Sequence, residues 1–281
     1  MQTAAWAIGK STFVGTRPAV SLQSIMTQNL KNQIAIISGG LGDIGKAIAL
    51  ELARRGADIA LGDIAEFSAA SKVLLEIENL NVRAVYHQVD VADSDAIQQW
   101  LDDVEKQLGI ASFIIPNAAI VRTAALTEIS SDDWNNQLNV NLGGAFFLAQ
   151  NASARLLKAQ RAGRIVFVGS WAAHAPHVNM IPYSVSKAGL RMLCKCMALE
   201  LAPHQILVNE VAPGYVDAGL SGKIFDANPE LRESAREKVP NRQLITAEEV
   251  AAQVAYLCDP RNKQMTGSTL LIDGGLSLQT S

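Results

Sequence analysis

The sequence IAIISGGLGDIG at residues 34–45 decides the fold of this chain. Its first half, Ile34–Ser38, is a continuous apolar run that is typical of a strand buried on both faces of a sheet. The glycines that follow lead directly into an amphipathic helix. A glycine-rich turn between a strand and a helix lets the backbone approach a pyrophosphate, which the free N–H groups of the helix N-terminus can bind. The segment therefore predicts the first unit of a dinucleotide-binding fold.

Beyond this segment, short runs rich in β-branched residues alternate with longer amphipathic stretches. Strands are predicted at Ile34–Ser38, Asp58–Leu61, Arg83–Val89, Phe113–Ile115, Arg164–Val168, Leu207–Val211 and Leu270–Ile272. Helices are predicted at Ile44–Arg55, Asp95–Leu108, Trp134–Ala159, Val185–Leu201 and, after a capping box of Thr246 and Glu249, Val250–Leu257. The alternation predicts an α/β fold with a doubly wound, mostly parallel seven-stranded sheet of the Rossmann type in a single domain. The irregular stretch Asp217–Leu244 follows a strand end, where such sheets bind ligands, and is a candidate lid.

The composition of the 281 residues argues against several classes of protein. A net charge of −3 provides no basic surface for nucleic acid, and no apolar run reaches the roughly 20 residues that span a bilayer. Residues 1–30 contain no acidic residue and show no regular period, which fits either an organellar leader or an over-long reading frame with Met26 as the working start. We prefer the second interpretation. We therefore predict a domain over residues 31–281, a cytoplasmic location unless the leader is genuine, and no nucleic-acid or membrane partner.

Asp63 ends the second predicted strand, 18 residues after Gly45. A dinucleotide fold places at this point a carboxylate that accepts hydrogen bonds from the adenosine ribose hydroxyls. The same carboxylate would repel the 2′-phosphate of NADP, and the neighbours Gly62 and Ile64 supply no positive charge. The alternative interpretation is a solvated aspartate in a turn. We predict NAD as the cofactor.

Ser170 follows the fifth predicted strand, and Tyr183 and Lys187 come 13 and 17 residues after it. At a spacing of four on a helix, the phenol and the ammonium lie on one face. A free phenol has a pKa near 10, which is too high for a base at neutral pH. An ammonium about 4 Å away is worth roughly 4 kcal/mol at an effective dielectric near 20, or about three pKa units. Such a pair is most often an amphipathic tyrosine beside a solvated lysine, but its place after Ser170 and a dinucleotide turn predicts proton transfer.

These residues resemble the short-chain dehydrogenase/reductase family, of the ordinary single-domain type, over about residues 31–276. Five family motifs occur in order: the Gly39–Gly45 turn, Asp90-Val91, Asn117-Ala118-Ala119, Ser170 with Tyr183-x-x-x-Lys187, and Pro213-Gly214. The resemblance implies the following catalytic roles: Tyr183 as acid/base, Lys187 lowering its pKa and binding the nicotinamide ribose, Ser170 orienting the substrate, and Asn141 holding a water of the proton relay. It implies cofactor contacts at Gly39, Asp43, Ile44, Gly45, Asp63, Asp90, Val91, Asn117, Tyr183, Lys187, Pro213, Gly214 and Val216. It also implies a homotetramer or homodimer with contacts through Trp134–Ala159 and Val185–Leu201.

Three places depart from the family pattern. Asp43 stands where the turn usually has its second glycine, and its carboxylate either faces the phosphates or caps a helix that begins at Ile44. Pro116 and Ala119 replace the outer residues of the usual Asn-Asn-Ala-Gly. Ala218 replaces a threonine that commonly bonds the cofactor, which removes one polar contact of roughly 1 kcal/mol. None of the three changes the proton-transfer group.

The sequence predicts an oxidoreductase that acts on CH–OH groups. The enzyme would transfer a hydride between nicotinamide and a secondary alcohol or ketone. Sugars and polyols are candidate substrates. His174 and His177 lie in a segment with Pro176 that reads as a loop, so we predict substrate or plain loop residues and no metal site. A 3-oxoacyl-carrier-protein reductase is the alternative enzyme, and it would be expected to use NADP. The alternative of another class is a catalytically silent NAD-binding scaffold, which any turnover of NADH would exclude.

Overall fold

In the computed structural model, which describes residues 30–279, seven strands form one sheet in the order β3-β2-β1-β4-β5-β6-β7. Every neighbouring pair is parallel. The strands are β1 Ile34–Ser38, β2 Asp58–Asp63, β3 Ala84–Gln88, β4 Phe113–Ile115, β5 Gly163–Val168, β6 Ile206–Pro213 and β7 Thr269–Ile272. The predicted doubly wound sheet is confirmed. Of the predicted leader or over-long start at residues 1–30, residues 1–29, including Met26, lie outside the described residues, whereas Leu30 is buried in the core.

Nine α-helices connect the strands within residues 30–279. They are α1 Asp43–Arg54, α2 Phe67–Glu78, α3 Ser94–Gln107, α4 Ser131–Leu138, α5 Ala145–Lys158, α6 Ile181–Leu201, α7 Gly219–Ala227, α8 Pro229–Lys238 and α9 Ala247–Leu257. The predicted capping box of Thr246 and Glu249 is present at the start of α9. In the described part of the chain, no helix has both the length and the apolar character to cross a bilayer.

The sheet is buried on both faces, as the composition of β1 predicts. Ala35 and Ile37 pack with α1, α2 and α9 in one apolar cluster. Ile34 and Ile36 point to the opposite face and pack with α3, α5 and α6 in the other. Because side chains alternate along a strand, a continuous apolar run fills both layers at once.

The predicted helix Trp134–Ala159 is wrong as one continuous helix. The structure divides this part of the chain into α4, a π-helix at Asn139–Gly144 and α5. Gly144 lies so close to the neighbouring chain that an added Cβ would stand 2.7 Å from the carbonyl oxygen of Val91. A π-helical turn holds an extra residue and is common at functional sites. Amphipathic periodicity alone does not reveal it.

The predicted irregularity of Asp217–Leu244 is also wrong, because α7 and α8 lie within it. Asn228 caps α8 by accepting from the N–H of Leu231, and Pro229 occupies the first turn, where proline is well tolerated. The segment still follows β6, so its role as a lid stays a prediction.

Two glycines of the first turn make a matched pair for a test of packing. An added Cβ at Gly45 would lie 2.2 Å from the carbonyl oxygen of Gly39, whereas one at Gly42 would meet its nearest atom at 3.5 Å. Gly45→Ala should therefore lower the free energy of unfolding by about 1–3 kcal/mol or more, the usual effect of overpacking. Gly42→Ala should stay within about 0.5 kcal/mol of the wild type. Denaturant unfolding of both variants checks this, and equal losses would contradict the close approach of Gly45 to Gly39.

Candidate active site

The order of the strands reverses between β1 and β4, where the connections after the two strands lead to opposite ends of the sheet. Open α/β sheets bind ligands in the crevice at the carboxyl ends of the strands at such a switch point. The predicted site residues Ser170 and Asn117 follow β5 and β4 at this edge, and the Gly39–Gly45 turn follows β1. The fold therefore brings residues far apart in sequence to one edge of the sheet.

Asn117 braces the glycine-rich turn. Its Nδ2 donates to the carbonyl oxygens of Ser38 at 2.9 Å and Gly39 at 3.1 Å. The Ser38 hydroxyl accepts from the backbone N–H groups of Asn117 and Ala118. Gly39 has a φ of +64°, and an added Cβ there would lie 2.9 Å from the Cα of Ala118. The Asn117 side chain thus holds the shape of the turn, while its predicted contact with the cofactor stays a prediction.

The N-terminus of α1 fits a pyrophosphate. Its N-cap residue is Gly42, which offers no side-chain oxygen, so the N–H groups of the first turn receive no cap from it. An added Cβ at Gly42 would meet no atom closer than 3.5 Å, which leaves the backbone open to close approach. Uncapped N–H groups at the positive end of a helix dipole bind phosphate groups. Ile44 and Gly45 lie in this first turn, as predicted.

Asp43 does not cap a helix that begins at Ile44, so that alternative is wrong. The helix begins at Asp43 itself, and Oδ2 of Asp43 accepts at 2.7 Å from the backbone N–H of Gly219, the first residue of α7. The carboxylate therefore joins the glycine-rich turn to the candidate lid. This contact joins residues 176 apart in sequence and has no local signal.

Asp63 is the last residue of β2, as predicted, and its carboxylate faces the glycine-rich turn. Oδ2 accepts from the backbone N–H of Leu41 at 3.1 Å, and Oδ1 accepts from Ala65 at 3.4 Å. The hydroxyl of Tyr86 donates to the carbonyl oxygens of Asp63 and Ala65. These bonds hold the carboxylate at the edge of the turn. The neighbouring Ile64 is largely exposed and supplies no charge.

The remaining predicted cofactor residues lie around the same edge. Asp90 is exposed and its Oδ1 accepts from the N–H of Ala92. Val91 and Val216 are buried. Pro213 ends β6, and the N–H of Gly214 donates to Ile272. Their contacts with a cofactor stay predictions.

The three residues predicted to take part in proton transfer, Ser170, Tyr183 and Lys187, lie together beyond the carboxyl end of β5. The side chains of Ser170 and Tyr183 share a hydrogen bond, and the Lys187 ammonium lies 5.7 Å from the centre of the Tyr183 ring. Nζ of Lys187 donates to the carbonyl oxygen of Val168 at 2.9 Å. The helix α6 that carries Tyr183 and Lys187 begins at Ile181, one turn before the predicted start.

The pKa of Tyr183 is not lowered overall in this arrangement, and the predicted effect of Lys187 on it stays a prediction. Burial raises the pKa of the Tyr183 phenol, and the hydrogen bond with Ser170 only partly opposes the shift. Burial lowers the pKa of Lys187 to about 8, against the opposing influence of the Glu210 carboxylate. The spacing of the two residues predicts a common helix face but does not predict their depth of burial. Burial disfavours the charged form of each of these two groups.

Asn141 lies in the π-helix and joins two parts of the site. Its Oδ1 accepts from the N–H of Ile120 at 2.8 Å, and its Nδ2 donates to the carbonyl oxygen of Ile120 and to the Ser186 hydroxyl. The amide side chain is thus engaged with the protein. The predicted role in holding a water stays a prediction.

Two further features lie at this edge of the sheet: an ion pair, which sequence reasoning missed, and an aromatic cluster. Arg191 on α6 and Glu210 on β6 form a buried pair. Trp171 packs edge-to-face against His177 and Tyr215, with ring centres 4.3 and 5.3 Å apart. A charged residue within the apolar run of β6 is the one local signal that could have drawn attention to Glu210. Within residues 30–279, no group of three or more His, Cys, Asp and Glu side chains could hold a metal ion, and the prediction of no metal stays a prediction.

The buried Lys187 leads to a test of stability against pH. The folded-state pKa of about 8 lies below the ordinary 10.5, so at neutral pH folding carries the cost of a buried charge. That cost is relieved as pH rises from about 8 to 10.5, since the unfolded chain then binds more protons than the folded one. Relative to Lys187→Met, the wild type should gain about 2 kcal/mol of stability between pH 7 and about pH 9.5.

Denaturant unfolding of wild type and Lys187→Met at the two pH values measures this gain. Lys195→Met, an exposed position on the same helix, is the matched control and should show no such change. A constant difference between wild type and Lys187→Met would contradict a depressed pKa.

Comparison with known proteins agrees with this geometry. The family model described as enoyl-(acyl carrier protein) reductase matches residues 40–277. A 3-oxoacyl-[acyl-carrier-protein] reductase of Thermotoga maritima is 34% identical over 247 residues, which cover 88% of this chain and 98% of the relative. The structure of NAD⁺-bound xylitol dehydrogenase is 29% identical with a TM-score of 0.82, over 87% of this chain and 99% of the other. A protein described as a 2-deoxy-d-gluconate 3-dehydrogenase from Agrobacterium tumefaciens, solved with bound NADP, is 27% identical with a TM-score of 0.82, over 89% and 98%.

The chain belongs to the short-chain dehydrogenase/reductase family of oxidoreductases. The expectation drawn from the five motifs is thereby confirmed.

Proposed function

We propose that this protein is an NAD-dependent oxidoreductase that interconverts a secondary alcohol and a ketone, with Tyr183 as the acid/base. The observation that carries the proposal is the group of Ser170, Tyr183 and Lys187 at the sheet edge that also holds the glycine-rich turn. The bound cofactor would accept or donate the hydride.

The proton chemistry follows from the burial of the three side chains. Because burial raises the pKa of Tyr183, its phenol keeps its proton at neutral pH and can donate it to a carbonyl oxygen. Ser170, which bonds to Tyr183, can donate to the same oxygen and hold the substrate against the phenol. Lys187 keeps its ammonium below about pH 8 and supplies positive charge as the phenolate develops. In the oxidative direction, the phenolate form of Tyr183 would accept the proton of the alcohol, and the Lys187 ammonium near the ring would stabilise that phenolate.

The proposed cofactor is NAD because a carboxylate stands where NADP carries its 2′-phosphate. Asp63 would accept from the ribose hydroxyls, and neither Gly62 nor Ile64 can neutralise a phosphate. The uncapped turn at Gly42 would receive the pyrophosphate. The xylitol dehydrogenase neighbour supports this proposal by its bound NAD⁺, whereas the neighbour with bound NADP supports the alternative.

A 3-oxoacyl-carrier-protein reductase is the second candidate, and the 34% identical relative of that name favours it. That activity would present an acyl chain on a protein carrier and would use NADPH on the usual family pattern. The substrate class separates the two candidates. Xylitol dehydrogenase among the neighbours supports a polyol, and His174, His177 and Asn179 could provide polar contacts for one.

A panel of polyols, sugars, hydroxy acids and 3-oxoacyl thioesters, each with NAD(H) and NADP(H), tests the proposal by absorbance of the reduced cofactor. We expect turnover with NAD(H) and at least one small hydroxylated substrate. Turnover confined to 3-oxoacyl thioesters with NADPH would establish the second candidate. Tight binding of NADH without turnover of any substrate would instead establish the silent scaffold.

We also propose a homotetramer or homodimer in the cytoplasm. The helix α6 exposes Val185, Met192 and Leu199, at spacings of seven residues, on its outer surface. A repeated apolar stripe of this kind suits contact with a second copy. Light scattering of the purified protein measures the assembly, and a monomer at micromolar concentration would contradict it.

A further inference from the structure

Glu210 is a charged residue in the middle of an apolar strand. It lies on β6, its side chain is 0% exposed, and its strand neighbour on β7 is Thr269. The Thr269 hydroxyl donates to Oε2 of Glu210 at 2.6 Å. Burial of a carboxylate costs folding free energy unless the group is paired and hydrogen-bonded. Glu210 therefore requires a partner of opposite charge.

The partner is Arg191, one turn after Lys187 on α6. Its Nε donates to Oε2 of Glu210 at 2.9 Å and its Nη2 donates to Oε1 at 3.3 Å. The same Nη2 donates to the backbone carbonyl oxygen of Ser170 at 3.2 Å. The guanidinium therefore links the carboxylate on β6 to the backbone of the residue whose hydroxyl bonds the Tyr183 phenol.

The chain makes room for this carboxylate beside the serine. An added Cβ at Gly169 would lie 1.9 Å from Oε1 of Glu210, and the N–H of Gly169 donates to the carbonyl oxygen of Val211. No side chain other than hydrogen fits at Gly169 while Glu210 is in place. The absence of a side chain at Gly169, the residue before Ser170, therefore leaves the space that the Glu210 carboxylate occupies.

We propose that Arg191 and Glu210 are positioning residues of the active site, and that the ion pair holds the backbone of Ser170 so that its hydroxyl meets the Tyr183 phenol. This inference rests on the proposed function, because it assigns a use to the Ser170 hydroxyl. Neither residue touches the reacting atoms. Their effect passes through Ser170 and through the charge that Glu210 places near the site.

The charge of Glu210 also reaches Lys187. The Glu210 carboxylate acts to raise the pKa of Lys187, against the larger lowering by burial. Arg191 and Glu210 also act on the pKa of His174, together with Asp273 and Lys195. They act on the pKa of Cys194 as well, together with Lys195. Removal of the carboxylate should therefore lower the pKa of Lys187 further, which gives a readout that needs no substrate.

The first test is the double variant Arg191→Met/Glu210→Met. Replacement of a buried ion pair by apolar side chains is often neutral for stability, whereas loss of one partner leaves an uncompensated charge. We expect the melting temperature to recover from the loss in Arg191→Met, while kcat stays at least about tenfold below the wild type and the Kd for NADH stays within twofold. Recovery of kcat together with the melting temperature would show a purely structural pair and would overturn the inference.

The second test is Glu210→Gln, which keeps the size of the side chain and remains informative if the double variant does not fold. We expect a severalfold loss of kcat and a lower pKa of Lys187 in a ¹³C-lysine NMR titration of the protein alone, with the signal assigned by its loss in Lys187→Met. An unchanged kcat and an unchanged titration would overturn the inference.

A control and the substrate panel separate the possible failures. Arg83→Met/Asp58→Asn removes an ion pair near the β3 edge of the sheet, in which Nε and Nη2 of Arg83 donate to Oδ2 of Asp58, and should leave kcat unchanged. If the wild type turns over no substrate at all, the proposed function fails. If the wild type is active and both the double variant and Glu210→Gln have the kcat and the Lys187 titration of the wild type, only the ion-pair inference fails.

Discussion

A Tyr183→Phe variant should fold and bind NADH like the wild type and lose about 10²–10⁴-fold of kcat, the usual contribution of general acid/base catalysis. The phenol oxygen is the group that would exchange a proton with the substrate. The ring remains in Phe, so the apolar contacts of this buried side chain are kept. Ser170 loses a hydrogen-bond partner in the variant, which leaves its hydroxyl free to bind the substrate oxygen. Steady-state kinetics on the best substrate of the panel measures the loss.

The matched control is Tyr256→Phe, because Tyr256 lies half exposed on α9, away from Ser170. Its kcat should equal that of the wild type. A Tyr183→Phe variant that retains more than about a tenth of the wild-type kcat would show that another group moves the proton.

The wild type should prefer NAD over NADP by at least about 100-fold in kcat/KM, or roughly 2.7 kcal/mol. Asp63 would accept two hydrogen bonds from the ribose, each charge-assisted and worth roughly 1.5–3 kcal/mol. With NADP the same carboxylate would face a phosphate dianion. Asp63→Ser should erase most of the preference, chiefly by weakening NAD. A further Ile64→Arg change should then favour NADP, since Ile64 is exposed and has room for a longer side chain.

Asp103→Ser is the control for this experiment, because Asp103 lies on α3 in an exposed pair with Lys106. Its cofactor preference should match the wild type. Equal use of both cofactors by the wild type, or an unchanged ratio in Asp63→Ser, would mean that Asp63 does not meet the ribose.

Local patterns were sufficient for most of the fold. Each predicted strand is present with ends shifted by at most two residues, because apolar runs bounded by glycine and charge mark a buried parallel strand. The capping box at Thr246 was predictable since its two bonds lie within three residues. The placement of Tyr183 and Lys187 on one helix was predictable because a helix brings residues four apart onto one face.

Contacts between distant parts of the chain were not predictable in this way. The bond from Gly219 to Asp43 and the links among Arg191, Glu210 and Ser170 exist only after the sheet has formed. Burial is likewise a property of the whole fold. The spacing of Tyr183 and Lys187 led to a lowered phenol pKa, whereas burial raises it. The spacing therefore predicts which tyrosine is the candidate acid/base, but it does not predict how burial shifts its pKa.

The transfer of deuterium from reduced cofactor to product tests the central claim most directly. NADH that carries deuterium at both C4 positions is incubated with a ketone substrate from the panel, and the product alcohol is analysed by mass spectrometry. We expect one deuterium on the carbinol carbon with the wild type and less than about a hundredth of that product with Tyr183→Phe. Unlabelled product, or an equal yield of labelled product from Tyr183→Phe, would contradict it.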